Sequence, residues 1–175
     1  MIVAKQVADL ITSARVLIAV CLVGVGSVQG PAGLPLVAWM MIVDWMGDML
    51  DGPIARRSRV QYQTWIGDHD LEVDMTVSAG LLAYMLLAGF ANPWPAGVYI
   101  SLCLLHFWRQ GGIPHSQGML FQAPIYGWFI WVALRDAPQA GWAIIIFLLS
   151  TIVLTWPYFP RVMLPGFFAG FREEK

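Results

Sequence analysis

The chain has 175 residues, of which 58% are hydrophobic and only 12% charged, with nine Trp and a mean hydropathy of +0.65. A composition this apolar excludes an ordinary soluble domain, in which about a quarter of residues carry charge. With a net charge of −1, no nucleic-acid partner is expected.

Taken in chain order, residues 1–15 read as an amphipathic helix in the membrane interface. Ile2, Val3, Val7, Leu10 and Ile11 would face lipid, and Lys5, Gln6 and Asp9 would face water. Apolar segments able to cross a hydrocarbon core follow at residues 16–27, 34–50, 73–90, 95–107, 119–134 and 140–157, the shorter ones borrowing flanking residues. A signal peptide over residues 1–29 is the competing reading. It is disfavoured by a long leading region containing Asp9 and by the lack of a small-x-small cleavage site. The predicted fold is therefore all-α: a polytopic membrane helix bundle of about six transmembrane helices with an N-terminal amphipathic interfacial helix, forming one domain over residues 1–175.

Lys and Arg are retained on the cytoplasmic side. Lys5 and Arg15 precede the first span, and Arg56, Arg57 and Arg59 lie between the second and third. Arg109 lies between the fourth and fifth, and Arg161, Arg172 and Lys175 follow the sixth. The intervening loops carry no charge, or only Arg135 beside Asp136. Both termini are expected in the cytoplasm, for an integral protein of a bacterial or archaeal cytoplasmic membrane. Cys21 and Cys103 fall mid-span without metal-site spacing and read as small apolar residues. Trp45, Trp65, Trp94, Trp108, Trp128, Trp142 and Trp156 fall near span ends, as an interfacial belt would.

Seven of the eleven acidic residues lie between Asp44 and Asp74, at the cytoplasmic edge of the second and third spans. Charge at membrane depth is costly and marks a functional site by default. On a helix, Asp48, Asp51, Gly52 and Ala55 share one stripe, with Asp44 one turn earlier and Arg56 at its margin. Asp70 and Asp74, also one turn apart, aim two more carboxylates at the same space. Four carboxylates together repel unless cations neutralise them, and hard divalent ions with oxygen ligands, Mg²⁺ or Mn²⁺, suit them. A pair of such ions serves phosphoryl transfer. Gly52 and Ala55 would let a nucleotide approach the helix, Arg56 would pair with a phosphate, and Pro53 would kink or loosen the second helix near residues 49–53.

The run Asp48-x-x-Asp51-Gly52-x-x-Ala55-Arg56, then Gly67 and Asp70-x-x-x-Asp74, resembles the signature of the CDP-alcohol phosphatidyltransferases, membrane enzymes of phospholipid biosynthesis. Leu10-Ile11-Thr12-x-x-Arg15 resembles the Leu-Thr-x-x-Arg segment that family members carry before their first span. The resemblance implies that an acceptor hydroxyl attacks the β-phosphate of a CDP-linked lipid such as CDP-diacylglycerol, giving a phosphodiester and CMP. It implies that Asp48, Asp51, Asp70 and Asp74 hold two divalent metals, that Asp74 also accepts the hydroxyl proton, and that Gly52, Ala55, Arg56 and Gly67 line the CDP site. It further implies a homodimer. Ten residues separate Arg56 from Gly67 and two separate Gly67 from Asp70, which departs from the family's usual spacing. Leu71 and Met75 stand where synthases acting on glycerol 3-phosphate often carry Pro and Lys.

Asp44 is a secondary candidate for contact with the cytidine or a metal, against a carboxylate that only reaches water. Asp68, His69 and Glu72 read as a solvated turn. For the small polar acceptor alcohol, Arg109 is the better candidate, ahead of His106 and His115, and Arg57 and Arg59 are also considered. Glycerol 3-phosphate fits the short chain, and a phosphatidylinositol-type or phosphatidylserine-type synthase is the alternative within the family. A divalent-cation transporter would also use intramembrane carboxylates, but it leaves Gly52, Ala55 and Arg56 unexplained. A catalytically dead scaffold would not be expected to keep all four Asp.

Overall fold

The computed structural model of the chain describes residues 4–56 and 70–173, and among them every regular element is helical. Two compact units are distinguished, Met1–Phe90 and Ala91–Lys175.

In the first unit, α1 (Ala4–Gln29) turns through a short 3-10 segment (Gly30–Gly33) into α2 (Leu34–Arg56), and α3 (Asp70–Leu87) follows. The turn begins at Gly30, whose φ of 54° is a left-handed conformation that glycine adopts without a Cβ penalty. Pro31 comes next and occupies one of the first positions of the 3-10 segment. The Tyr84 hydroxyl of α3 donates to the Gly30 carbonyl, tying the third helix to this hairpin.

α1 is the central helix and packs on both α2 and α3. Its buried stripe, Thr12, Arg15, Ala19 and Leu22, advances by three and four residues, as one face of a helix must. Val37, Ala38 and Met41 of α2 and Val77, Leu81 and Met85 of α3 complete the core. Close approach depends on glycine. A Cβ at Gly80 would stand 2.8 Å from the Ala19 carbonyl oxygen, and one at Gly26 would stand 3.2 Å from Tyr84 Cα. Small residues at these crossings let α1 and α3 touch backbone to backbone.

In the second unit, α4 (Pro93–Gln110) starts at an Asn92 cap, whose side chain accepts from the Trp94 amide, and stops at Gly111 with φ 73°. α5 (His115–Asp136) and α6 (Pro138–Leu154) meet in a tight corner, where a Cβ on Gly141 would lie 2.6 Å from Leu134 Cα. A π-helical turn (Phe159–Met163) leads into α7 (Leu164–Glu173), which packs against α5. Pro124 inside α5 cannot donate a backbone bond. The Tyr99 hydroxyl of α4 donates to the nearby Phe121 carbonyl at 2.6 Å, and the two rings stack at 5.7 Å.

Two expectations change. The predicted interfacial helix is not separate, because α1 runs unbroken from residue 4 to residue 29 with Thr12 and Arg15 buried in the bundle. α7 lies where no helix was predicted, in a segment interrupted by Pro157, Pro160 and Pro165. Among the described residues, one stretch, Leu10–Leu50, is long and apolar enough to cross a membrane, with a mean hydropathy of 2.0. Its 41 residues are the hairpin of α1 and α2. Beyond it, α3 carries three acidic residues and α6 has only 17 residues, but α6 together with the bent segment Phe159–Ala169 forms a second stretch apolar enough.

Apolar residues cover the outside of the first unit as well as its core, and a few polar groups are buried among them. Leu17, Val20 and Val28 of α1, and Trp39 and Val43 of α2, point outward and are exposed, whereas Thr12, Arg15, Asp44 and Ser78 are buried.

Candidate functional site

Arg15 is the hub of the first unit's polar interior. Its position on the buried stripe of α1 sends the guanidinium between α2 and α3, and only 3% of the residue is exposed. Gly47 on α2 packs against α1, where a Cβ would lie 3.2 Å from Ile11 Cγ2 and at ordinary contact distance, 3.7 Å, from Arg15 Cδ.

Among the described residues, four carboxylates surround the guanidinium. Nε donates to Asp44 Oδ1 at 3.1 Å, Nη1 donates to Asp48 Oδ1 at 2.8 Å, and Nη2 donates to Asp74 Oδ1. Asp70 Oδ1 lies 3.7 Å from Nη1 as an ion pair. Asp44 and Asp48 are one turn apart on α2, and Asp70 and Asp74 are one turn apart at the start of α3. The predicted helical spacing thus produces the convergence. Asp70 and Glu72 also occupy the first turn of α3, where the helix dipole favours negative charge.

The carboxylates differ in access. Asp44 is fully buried, and its Oδ2 has no hydrogen-bond partner. Asp48 and Asp70 keep 44% and 48% of their side chains exposed, and Asp74 keeps 22%. Oxygens of Asp48, Asp70 and Asp74 all lie within 4.8 Å of one another. Among the described residues, one guanidinium faces four carboxylates at this open end. The three-Asp cluster can hold a metal ion. Its donors are all hard carboxylate oxygens, the set that Mg²⁺, Mn²⁺ or Ca²⁺ prefers over softer ions.

Of the residues expected to ligate metal, Asp48, Asp70 and Asp74 come together. Asp51, Gly52, Ala55 and Arg56 lie on the helical end of α2, and their side chains fall outside the described residues. Arg57, Arg59 and Gly67 lie wholly outside them. Asp44, the secondary candidate for cytidine or metal contact, is fully buried and accepts from Arg15 Nε. Arg109 is exposed at the end of α4 in the second unit. His106, weighed as an acceptor contact, bonds Gln117 of α5 at 2.8 Å, at the edge of an apolar cleft of about 370 Å³ that Tyr99, Cys103 and Phe121 help to line.

Arg15 is the residue that sequence reasoning undervalued. It was read as a topology marker and as the end of Leu10-Ile11-Thr12-x-x-Arg15. The available signal was the pair Thr12 and Arg15, three apart on the same face as Ala19 and Leu22. No family model matches the chain, and no curated protein or solved structure matches it. The family resemblance therefore stands on the residues themselves.

Proposed function

We propose that the chain is an integral-membrane transferase of the CDP-alcohol phosphatidyltransferase kind, moving a lipid phosphate group from a CDP-linked lipid to an acceptor alcohol. The observation that carries this reading is the convergence of Asp48, Asp70 and Asp74 within 4.8 Å, on residues that also match the signature in order.

The membrane setting is supported by the apolar hairpin of α1 and α2 and by its exposed apolar surface, since Leu, Val and Trp outside with Arg15 and Asp44 buried suit lipid better than water. A six-span bundle with cytoplasmic termini extends this reading. It agrees with the Arg135–Asp136 ion pair at 2.6 Å, which cancels the one cation of a loop assigned to the far side.

In the reaction, the acceptor hydroxyl oxygen forms a bond to the β-phosphorus, the phosphoanhydride bond breaks, and CMP leaves. Asp74, on the half-open face of the cluster, takes the hydroxyl proton. Asp48, Asp70 and Asp74, joined by Asp51, would hold two Mg²⁺ or Mn²⁺ ions, which neutralise phosphate charge when bound. Gly52, Ala55 and Arg56, on the same end of α2, would receive the cytidine and its phosphates. Glycerol 3-phosphate is the first acceptor to try. Arg15 disfavours the transporter reading, because a fixed cation among the carboxylates opposes passage of another.

The test is CMP release by purified protein reconstituted in lipid, given CDP-diacylglycerol and Mg²⁺ or Mn²⁺ with acceptors supplied singly and Asp74→Asn as blank. Metal-dependent release with one acceptor supports the reading. Release equal in the wild type and the Asp74→Asn variant removes Asp74 as the base, and no release with any acceptor contradicts the transferase.

A further inference from the structure

The Arg15 fork is spread over three carboxylates on two helices, with Nε on Asp44, Nη1 on Asp48 and Nη2 on Asp74. Two of those three, Asp48 and Asp74, belong to the cluster able to hold a metal ion. An oxygen already accepting from a guanidinium is a poorer ligand for a second cation, so Arg15 and a divalent ion compete for the same side chains. Meanwhile Asp44 Oδ2, in a fully buried residue, accepts nothing. Buried acceptors are ordinarily satisfied, and an exception calls for a reason. Oδ2 lies on the very carboxylate that already holds Nε, where a guanidinium pairs best through two parallel bonds.

We propose that Arg15 is a displaceable internal counterion. In the metal-free chain it holds Asp48 and Asp74 together; when a divalent cation takes those carboxylates, the guanidinium withdraws onto Asp44 and fills its empty Oδ2. The inference rests on the metal reading of the cluster given above. It makes Arg15 a positioning residue and Asp44 its resting place.

The test is Mn²⁺ affinity, read from the free-ion resonance signal, for detergent-purified wild type and for Arg15→Lys, Arg15→Gln and Asp44→Asn, each checked for helicity. Lys keeps the positive charge but cannot span three carboxylates. Arg15→Lys is therefore expected to bind Mn²⁺ about tenfold tighter than wild type, the equivalent of one charge-assisted hydrogen bond no longer displaced. Arg15→Gln is expected to bind tighter still and to melt at lower temperature without metal. Asp44→Asn, which denies the guanidinium its retreat, is expected to bind about tenfold more weakly. Unchanged or weaker binding in folded Arg15→Lys overturns the inference while leaving the metal site standing, as does unchanged binding in Asp44→Asn. Should Arg15→Gln fail to fold, the Lys and Asn variants decide. No Mn²⁺ binding by wild type overturns the metal reading itself, and the inference with it.

Discussion

Arg15 of α1 and Asp44 of α2 face each other inside the first unit, with Nε donating to Oδ1 at 3.1 Å and neither side chain more than 4% exposed. The pair is twenty-nine residues apart in sequence and is brought together by the hairpin that turns at Gly30. Burying two charges costs several kcal/mol each before their attraction is counted, and a stability gain is therefore weak grounds for keeping them. Specific placement of the fork among Asp48, Asp70 and Asp74 is the better account of why this pair exists.

Breaking the pair on one side leaves an unpaired buried charge. Arg15→Met should destabilise the first unit by about 3–5 kcal/mol, and Arg15→Met with Asp44→Leu should recover much of that loss. Thermal unfolding of the two single variants and the double variant in detergent, assembled as a cycle, measures the coupling. Purely additive losses would show that the pair is not energetically linked.

Helix contact through glycine gives a second test. Gly80→Val places a branched side chain against the Ala19 backbone and should cost about 1–3 kcal/mol by overpacking. Gly24→Ala, where a Cβ meets nothing within 4 Å, should be neutral or gain up to about 1 kcal/mol of helix propensity. Melting temperatures of the two variants should separate in opposite directions.

The coarse fold was legible because apolar segment lengths and punctuation by Pro and Gly are local properties: all six predicted segments begin or end within about four residues of a helix boundary. The carboxylate convergence was legible for the same reason, since i and i+4 spacing on α2 and α3 is written in the chain. The role of Arg15 was not, because it depends on which face of α1 turns inward, and that is decided by the Gly80–Ala19 and Gly26–Tyr84 contacts across long sequence separations. Helix α7 was hidden by prolines that read as breaks, although Pro165 falls at the second position of the helix, where its missing N–H costs nothing.

Metal should stabilise the first unit through the Asp cluster. Adding Mn²⁺ at about one hundred times its dissociation constant should raise wild-type stability by about 2.7 kcal/mol, with EDTA reversing the rise. Asp48→Asn or Asp70→Asn should abolish most of that shift. A shift undiminished in both variants would place the ion elsewhere.

Lipid exposure of the hairpin predicts a pattern of accessibility. On a background lacking Cys21 and Cys103, spin labels at Val20 and Val43 should be relaxed by oxygen far more than by a water-soluble nickel chelate, and labels at Leu22 and Val37 should be shielded from both. Equal relaxation by the nickel chelate at Val20 and Val43 would put that face in water.

The fate of the donor's β-phosphate separates transfer from every other use of the cluster. CDP-diacylglycerol labelled with ³²P at the β-position is given to reconstituted protein with Mn²⁺ and glycerol 3-phosphate, and then with the other acceptors in turn. The label is expected in a new phosphodiester lipid and absent from the released CMP, with both products lost in Asp74→Asn. Label remaining in the donor under every condition, or appearing only in phosphatidic acid through attack by water, would contradict transfer to an alcohol.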